Sequence, residues 1–538
     1  MNLNPTALIP RYFRYHYGVF IALLLSACTV LGPDYEAPQE MPLPKQWEPA
    51  QSEIESREVS QWWTLFNEPV LNELISLGAK QNLSLEAAGL RIVQSRAALG
   101  ISDALIFPQQ QSVSGNAAKL YQNEKSFSSA AFGLDVGWEM DIWGKYARGI
   151  ETSEANLYAS IASYRDVLVT ITAEIARNYI NYRTAEERIY LSRQNIEIQE
   201  RVVEMTQVQY DSGNVSELDV QQAKTQLYAT QAALPALNIV RLQAANAIAV
   251  LVGKLPEDIA PVLVLKETRQ ASSYDERLAQ AATTSKEDDS FIAEYDSRSL
   301  IPIAPPIQPS INPDLIRRRP DLQVAELQAK AQSARIGARQ ADLYPQFFLF
   351  GSIGLSDTVR TGNSLSASNA VTAAIGPGFS WNIFQYDRIK NQVRIEDARF
   401  QESLSNYNQQ VLEAVAEVSN ALIAYELSQQ QAAFNFAAVE ASIRAFNISA
   451  TQYNNGLVTY QRLLSTVEKM TLREDTYAQT KGNIANNLVA LYKALGGGWD
   501  QHGDIPVVKP EIMEQMINRT DWGDSLEPEK LSGEDRNE

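Results

Sequence analysis

The sequence predicts a mixed fold in which very long α-helices continue into transmembrane β-strands, the whole unit built twice in tandem. Three observations predict it. The chain matches itself at an offset near 240 residues, two long segments free of Gly and Pro carry coiled-coil spacing, and two segments of about ten residues alternate apolar with polar or tiny side chains.

The repeat is legible residue by residue. At an offset of 237, Leu85, Ala88, Leu90, Ala97, Gly100, Ala104, Pro108 and Gln109 meet Leu322, Ala325, Leu327, Ala334, Gly337, Ala341, Pro345 and Gln346. At 241, Gly137 and Ile142 meet Gly378 and Ile383; at 243, Gln209, Tyr210, Gly213 and Val215 meet Gln452, Tyr453, Gly456 and Val458. Each half reads helix, two strands, very long helix, tight turn, return helix. Leading helices are expected over about Val70–Leu105 and Pro313–Asp342, and return helices over about Ser216–Val252 and Thr459–Leu495.

The long helices follow from spacing. Apolar positions step by three and four from Leu157 to Tyr182, then by seven through Ile189, Ile196, Val203 and Tyr210. In the second half Leu404 to Tyr425 lead into Ala432, Val439, Phe446 and Tyr453, again by sevens. No Gly or Pro interrupts Ile150 to Ser212 or Asp387 to Asn455, which gives helices of about 95–100 Å. Pro235 is expected to interrupt and kink the first return helix; Ala478 holds the equivalent place in the second.

The strands follow from period two. Phe132, Leu134, Val136, Trp138 and Met140 alternate with Gly133, Asp135, Gly137, Glu139 and Asp141. Ala373, Ile375, Pro377, Phe379 and Trp381 alternate with Ala374, Gly376, Gly378, Ser380 and Asn382. One apolar face over about ten residues suits a membrane barrel, and Trp138, Trp143, Phe379 and Trp381 suit an interfacial aromatic belt. Partner strands at about 109–119 and 347–356 are less regular, and the polar spans Tyr121–Ser129 and Asp357–Asn369 read as external loops. Four strands cannot close a barrel, and an open edge is intolerable in lipid, so several chains must complete it.

Composition excludes other classes. A formal charge of −18 argues against nucleic acid. With one cysteine, Cys28, and two histidines, His16 and His502, the chain cannot build a multi-histidine or Cys/His zinc cluster; no Walker-type loop occurs either. No catalytic residue, metal site or cofactor is expected. The cluster Gly496-Gly497-Gly498 reads as a helix stop.

The N-terminus reads as an address. Arg11 and Arg14 precede the apolar run Val19 to Leu25, which ends in Leu25-Ser26-Ala27-Cys28. The tetrad resembles the bacterial lipobox, which implies removal of 1–27 and lipidation of Cys28. Thr29 stands where an inner-membrane lipoprotein carries Asp, so the implied address is the outer membrane.

With these features in place, the chain resembles the outer membrane factor family, the TolC-like exit ducts of tripartite efflux systems, in the lipoprotein branch that serves RND-type pumps. The local matches are Gly-Pro-Asp-Tyr at 32–35, Arg-Arg-Pro-Asp at 318–321, Tyr-Pro-Gln-Phe at 344–347 and Ala-Leu-Gly-Gly-Gly-Trp at 494–499. The resemblance implies a homotrimer: a 12-stranded β-barrel in outer-membrane lipid continued by a long α-helical periplasmic barrel with a mixed α/β equatorial belt. The implied organisation is a signal peptide at 1–27, a lipidated segment at 28–69 wrapping the equator, repeat one at 70–253, an equatorial connection at 254–312 with a polar insertion at 266–299, repeat two at 313–496, and an acidic tail at 497–538. The insertion and the tail read as solvated, charge-rich surface.

The resemblance further implies that the turns at 211–215 and 454–458 are periplasmic tips where an adaptor protein docks, through Gly213, Val215, Ser216, Gly456, Val458 and Thr459. Transport energy would come from the inner-membrane pump, with drugs or other small toxic compounds as cargo. Family members carry acidic gate residues at positions that here hold Arg462 and Ser465; Asp219 occupies the equivalent of Arg462 in the first tip. An ion pair between Asp219 and Arg462 across the tips is therefore expected as a latch, with Tyr453 a further gate candidate. Two other readings stand beside this one: a duct for a type I protein or metal-ion exporter, and a periplasmic coiled-coil scaffold lipoprotein without a channel.

Overall fold

The computed structural model describes residues 30–38, 59–122, 125–264, 299–305, 314–360, 371–499 and 506–526. The signal segment, Cys28, nearly all of the polar insertion and the last twelve residues lie outside them. The described elements run α1 (Pro69–Gln81), α2 (Leu83–Ala104), β1 (Gln110–Gln122), β2 (Lys125–Met140), α3 (Lys145–Asp211), α4 (Glu217–Leu251), α5 (Pro256–Leu263), α6 (Asp314–Arg317), α7 (Pro320–Ala341), β3 (Gln346–Arg360), β4 (Val371–Ser380), α8 (Arg388–Asn454), α9 (Tyr460–Ala494) and α10 (Pro510–Arg519).

α3 and α8 each have 67 residues, about 100 Å of helix. α4 and α9 return antiparallel to them from the tips, while α2 and α7 pack against the opposite ends of the long helices. The strands form one antiparallel sheet in the order β1-β2-β3-β4, so the two hairpins join through β2 and β3.

Several expectations need correction. The first leading helix is two helices, broken at Asn82, whose backbone is extended. The Asn82 carboxamide oxygen accepts from Leu85 N, starting α2, while its nitrogen donates to Leu251 O at the end of α4. The break therefore lies where α1 meets the return helix end to end. The second leading helix starts at Pro320, after the short α6, because proline supplies no N–H and suits the first helical position. Pro235 lies inside a continuous α4 and does not end it.

Within the span Tyr121–Ser129, residues 121–122 and 125–129 are strand and not loop. β1 and β2 stay paired through Gln122 and Lys125, since an antiparallel ladder bonds the backbone whatever its side chains are. β3 likewise runs on to Arg360. The tail is in part folded: residues 506–526, which include α10, pack on α2 through Val508, Met516 and Leu526 against Val93, with Lys509 Nζ 2.6 Å from Glu86.

In α8 the sevens hold, with Val439, Phe446 and Tyr453 buried. In α3 they do not. Ile196 and Val203 are half-buried and Tyr210 exposed, while Ile198, Val202 and Thr206 are buried instead. Within the protomer α3 packs against both α4 and α9, so it carries more than one seam, and its most buried stripe faces the second hairpin, where Ile198 and Val202 join Val439, Tyr453, Tyr460 and Leu463.

Candidate functional site

The four family-like motifs are joints. Gly32 approaches Gly337 so closely that a Cβ on Gly32 would lie 2.3 Å from the Gly337 Cα. The buried Arg148 holds the same strap, donating to Leu31 O, Gly32 O, the Asp34 carboxylate and Glu151. Arg319 of the second motif donates to both Asp321 oxygens, to Glu417 and to Ala494 O, the carbonyl at the end of α9. These carboxylates raise the guanidinium's pKa despite burial, which acts first and in the opposite sense. The Arg-Arg-Pro-Asp and Ala-Leu-Gly-Gly-Gly-Trp motifs thus meet in space. Trp62 stacks on Tyr492 beside them at 5.7 Å and 7°. In the Tyr-Pro-Gln-Phe motif, Tyr344 lies 4.8 Å from the Trp143 ring, whose Nε1 donates to Pro345 O.

The sheet has two chemically different faces. Register places Phe132, Leu134 and Val136 beside Leu355, Ile353 and Gly351, and these beside Val371, Ala373 and Ile375. Of this face, Phe132, Ile353, Val371, Ile375 and Phe379 are all more than half exposed. Such a contiguous apolar surface is tolerable in lipid and not in water. The other face carries Ser112, Ser114, Asp135, Ser352, Thr372 and glycines. Trp138 and Trp381 mark the helix-side end, their indole N–H groups donating to Ile106 O and Leu343 O.

The tips are two Schellman stops. Gly213 N donates to Tyr210 O and Asn214 N to Gln209 O; Gly456 N donates to Tyr453 O and Leu457 N to Gln452 O. Both glycines have φ near +70°, and open space surrounds them. Gly213, Ser216, Gly456 and Thr459 are exposed; Val215 and Val458 are half-buried.

The structure brings two of the gate candidates together: burial raises the Tyr453 phenol's pKa, and the nearby Asp219 carboxylate adds to it. Asp219 Oδ2 accepts from Ser216 N at 2.9 Å and Ser216 Oγ at 2.7 Å, so it caps its own helix. Among the described residues no ion pair joins it to Arg462 within the protomer, and the expected latch is not made there. The cause is local: a carboxylate three residues after a serine N-cap reaches that cap more readily than another hairpin. Arg462 is exposed and Ser465 half-buried. Tyr453 is buried, its ring 6.2 Å from that of Tyr460, in a cluster with Phe446, Leu463, Val467 and Met470. Burial pushes both phenols above the ordinary tyrosine value.

A four-stranded sheet with one lipid-compatible face, running into helices of 67 residues, defines a membrane-inserted protomer of a helical tunnel. The chain belongs to the outer membrane efflux protein family, whose pattern matches residues 74–254 and 313–497, once in each repeat. It is 27% identical over 498 residues to Nodulation protein T of Rhizobium leguminosarum bv. trifolii, covering 91% of this chain and 98% of that one. It is 24% identical over 482 residues to the probable outer membrane lipoprotein SilC of Salmonella typhimurium, covering 88% and 97%. The solved outer-membrane channel OprN superposes with a TM-score of 0.73 at 28% identity, over 87% of this chain and 99% of that channel. The protein is therefore an outer-membrane efflux channel protein and not an enzyme.

Proposed function

We propose that three copies of this chain form a passive exit duct that passes small toxic compounds from an inner-membrane RND-type pump, through a periplasmic adaptor, out of the cell. The observation that carries this reading is the open sheet. Among the described residues β1 and β4 each pair on one side only, and one face is apolar, so lipid insertion demands closure by further copies. Three copies give twelve strands, with α3, α4, α8 and α9 as the tunnel wall. Relatives named for pyoverdine export, cation efflux and antibiotic efflux support the export role and leave the cargo class broad.

In this reading Cys28 carries the lipid and the strap at residues 30–35 ties that anchor to the barrel base. The adaptor meets Gly213, Val215, Ser216, Gly456, Val458 and Thr459. The gate belongs to the second tip, where Arg462 and Ser465 are free to face neighbouring copies and Tyr453 packs the hairpin behind them; Asp219 serves the first tip as a cap. The test is deletion of the gene with affinity isolation of the restored protein. Loss should raise cellular accumulation of small toxic compounds, and isolation should bring down an RND-type pump and its adaptor. Isolation with an ATP-driven protein exporter, or with no pump at all, would contradict the proposal.

A further inference from the structure

The polar face of the sheet has one anomaly. Across 110–118, 129–139, 346–356 and 372–380, the only large apolar side chains on that face are Phe348 and Phe350. The register fixes their side: Phe348 lies opposite Glu139 and Gly378, and Phe350 opposite Gly137 and Gly376. The corresponding places in the first repeat, set by the same pairing geometry, hold Gln110 and Ser112. The two rings lie 6.4 Å apart at 45°.

Their surroundings form a built site. A Cβ at Gly378 would lie 2.4 Å from the Phe348 ring, so that ring lies on bare backbone. A Cβ at Gly376 would come 3.5 Å from Phe350. Packing over glycine accounts for Phe348, which is half-buried. It does not account for Phe350, which remains 42% exposed on a face that water wets in a channel. Asp135, on the same face of β2, stands diagonally across from Phe350, within reach of a ligand that covers the ring. Asp135 is exposed and makes no ion pair or hydrogen bond among the described residues, whereas Glu139 is engaged by Tyr146 at 2.9 Å and Lys145 at 3.6 Å. β2, β3 and β4 belong to one chain, so the site is complete in each protomer.

We infer that Phe350, backed by Phe348 and flanked by Asp135, is a cargo-contact site on the lumen side of the barrel, selective for aromatic cations. The ring supplies an apolar face and a negative quadrupole, and the free carboxylate supplies charge. A protein of net charge −18 attracts the same class of solute. Three copies would place six rings around the lumen just beyond Pro345, where barrel gives way to helix. The inference rests on the channel reading above.

The test is block of ion current through the full-length protein in a planar bilayer. Benzyltrimethylammonium is compared with tetramethylammonium, each added from the barrel side. Half-block should need about a two- to tenfold lower concentration of the benzyl compound, the range expected for one added aromatic pair. Phe350→Ser and Phe350→Leu should both abolish that preference, the second while keeping bulk, and Phe350→Tyr should retain it. Asp135→Asn should raise the half-blocking concentration of both ions. Trimer mass in each variant controls for folding. Current with an unchanged preference in the Ser and Leu variants would overturn the site alone. Absence of current in the unaltered protein would overturn the channel reading and the site with it.

Discussion

The two tips end their long helices in the same way and begin their return helices differently. In the first, Ser216 and Asp219 form a hydrogen-bonded cap at the positive end of α4. In the second, Thr459 makes no side-chain cap, and Arg462 puts a cation where the helix dipole disfavours it. The second tip has bulk instead: Phe446, Tyr453, Tyr460, Leu463 and Met470 are all buried there, whereas the first buries Val202, Thr206, Val220 and Ala223 near its turn. The two tips pack on each other in one apolar cluster, to which the second contributes the aromatic bulk and the first Ile198, Val202 and Ala223, so the repeats have diverged in capping and in side-chain size.

Three substitutions break or sharpen this comparison. Tyr460→Ala should have the largest effect, about 3–5 kcal/mol for a buried aromatic, read as faster amide exchange across residues 445–470 and, through the shared cluster, around Ile198, Val202 and Ala223. Asp219→Ala should cost about 1 kcal/mol, confined to exchange at 216–220. The smallest effect is a gain. Arg462→Asp should slow exchange at 459–463 by about 0.3–1 kcal/mol, because a carboxylate would replace a cation at the helix start. Loosening by Arg462→Asp would contradict the packing account and give Arg462 a stabilising partner in the assembled duct.

Much of the fold was legible because repetition and periodicity are properties of the chain itself. The offsets placed both long helices, and the Gly213 and Gly456 turns carry the hydrogen bonds their residue types favour. What was hidden depends on contacts distant in sequence. Asn82 breaks a helix because Leu251, 169 residues away, offers a carbonyl to its side chain. The tail at 497–538 reads as solvated because over its whole length charges outnumber apolar residues, yet Val508 and Met516 find a complementary face on α2. Phe348 and Phe350 were obscured by Phe347 and Leu349 between them, since a continuous apolar run does not announce which face each residue takes. Within one protomer Asp219 does not pair with Arg462, because equivalence between repeats does not bring two side chains together when a nearer partner, the Ser216 cap, is available.

The central claim is that the open sheet is one third of a closed barrel. The direct measurement is the mass of the detergent-extracted protein in the same fraction that conducts ions in a bilayer. A mass of three chains is predicted. A conducting species with the mass of one chain would contradict the account, because four strands would then have to line a pore alone.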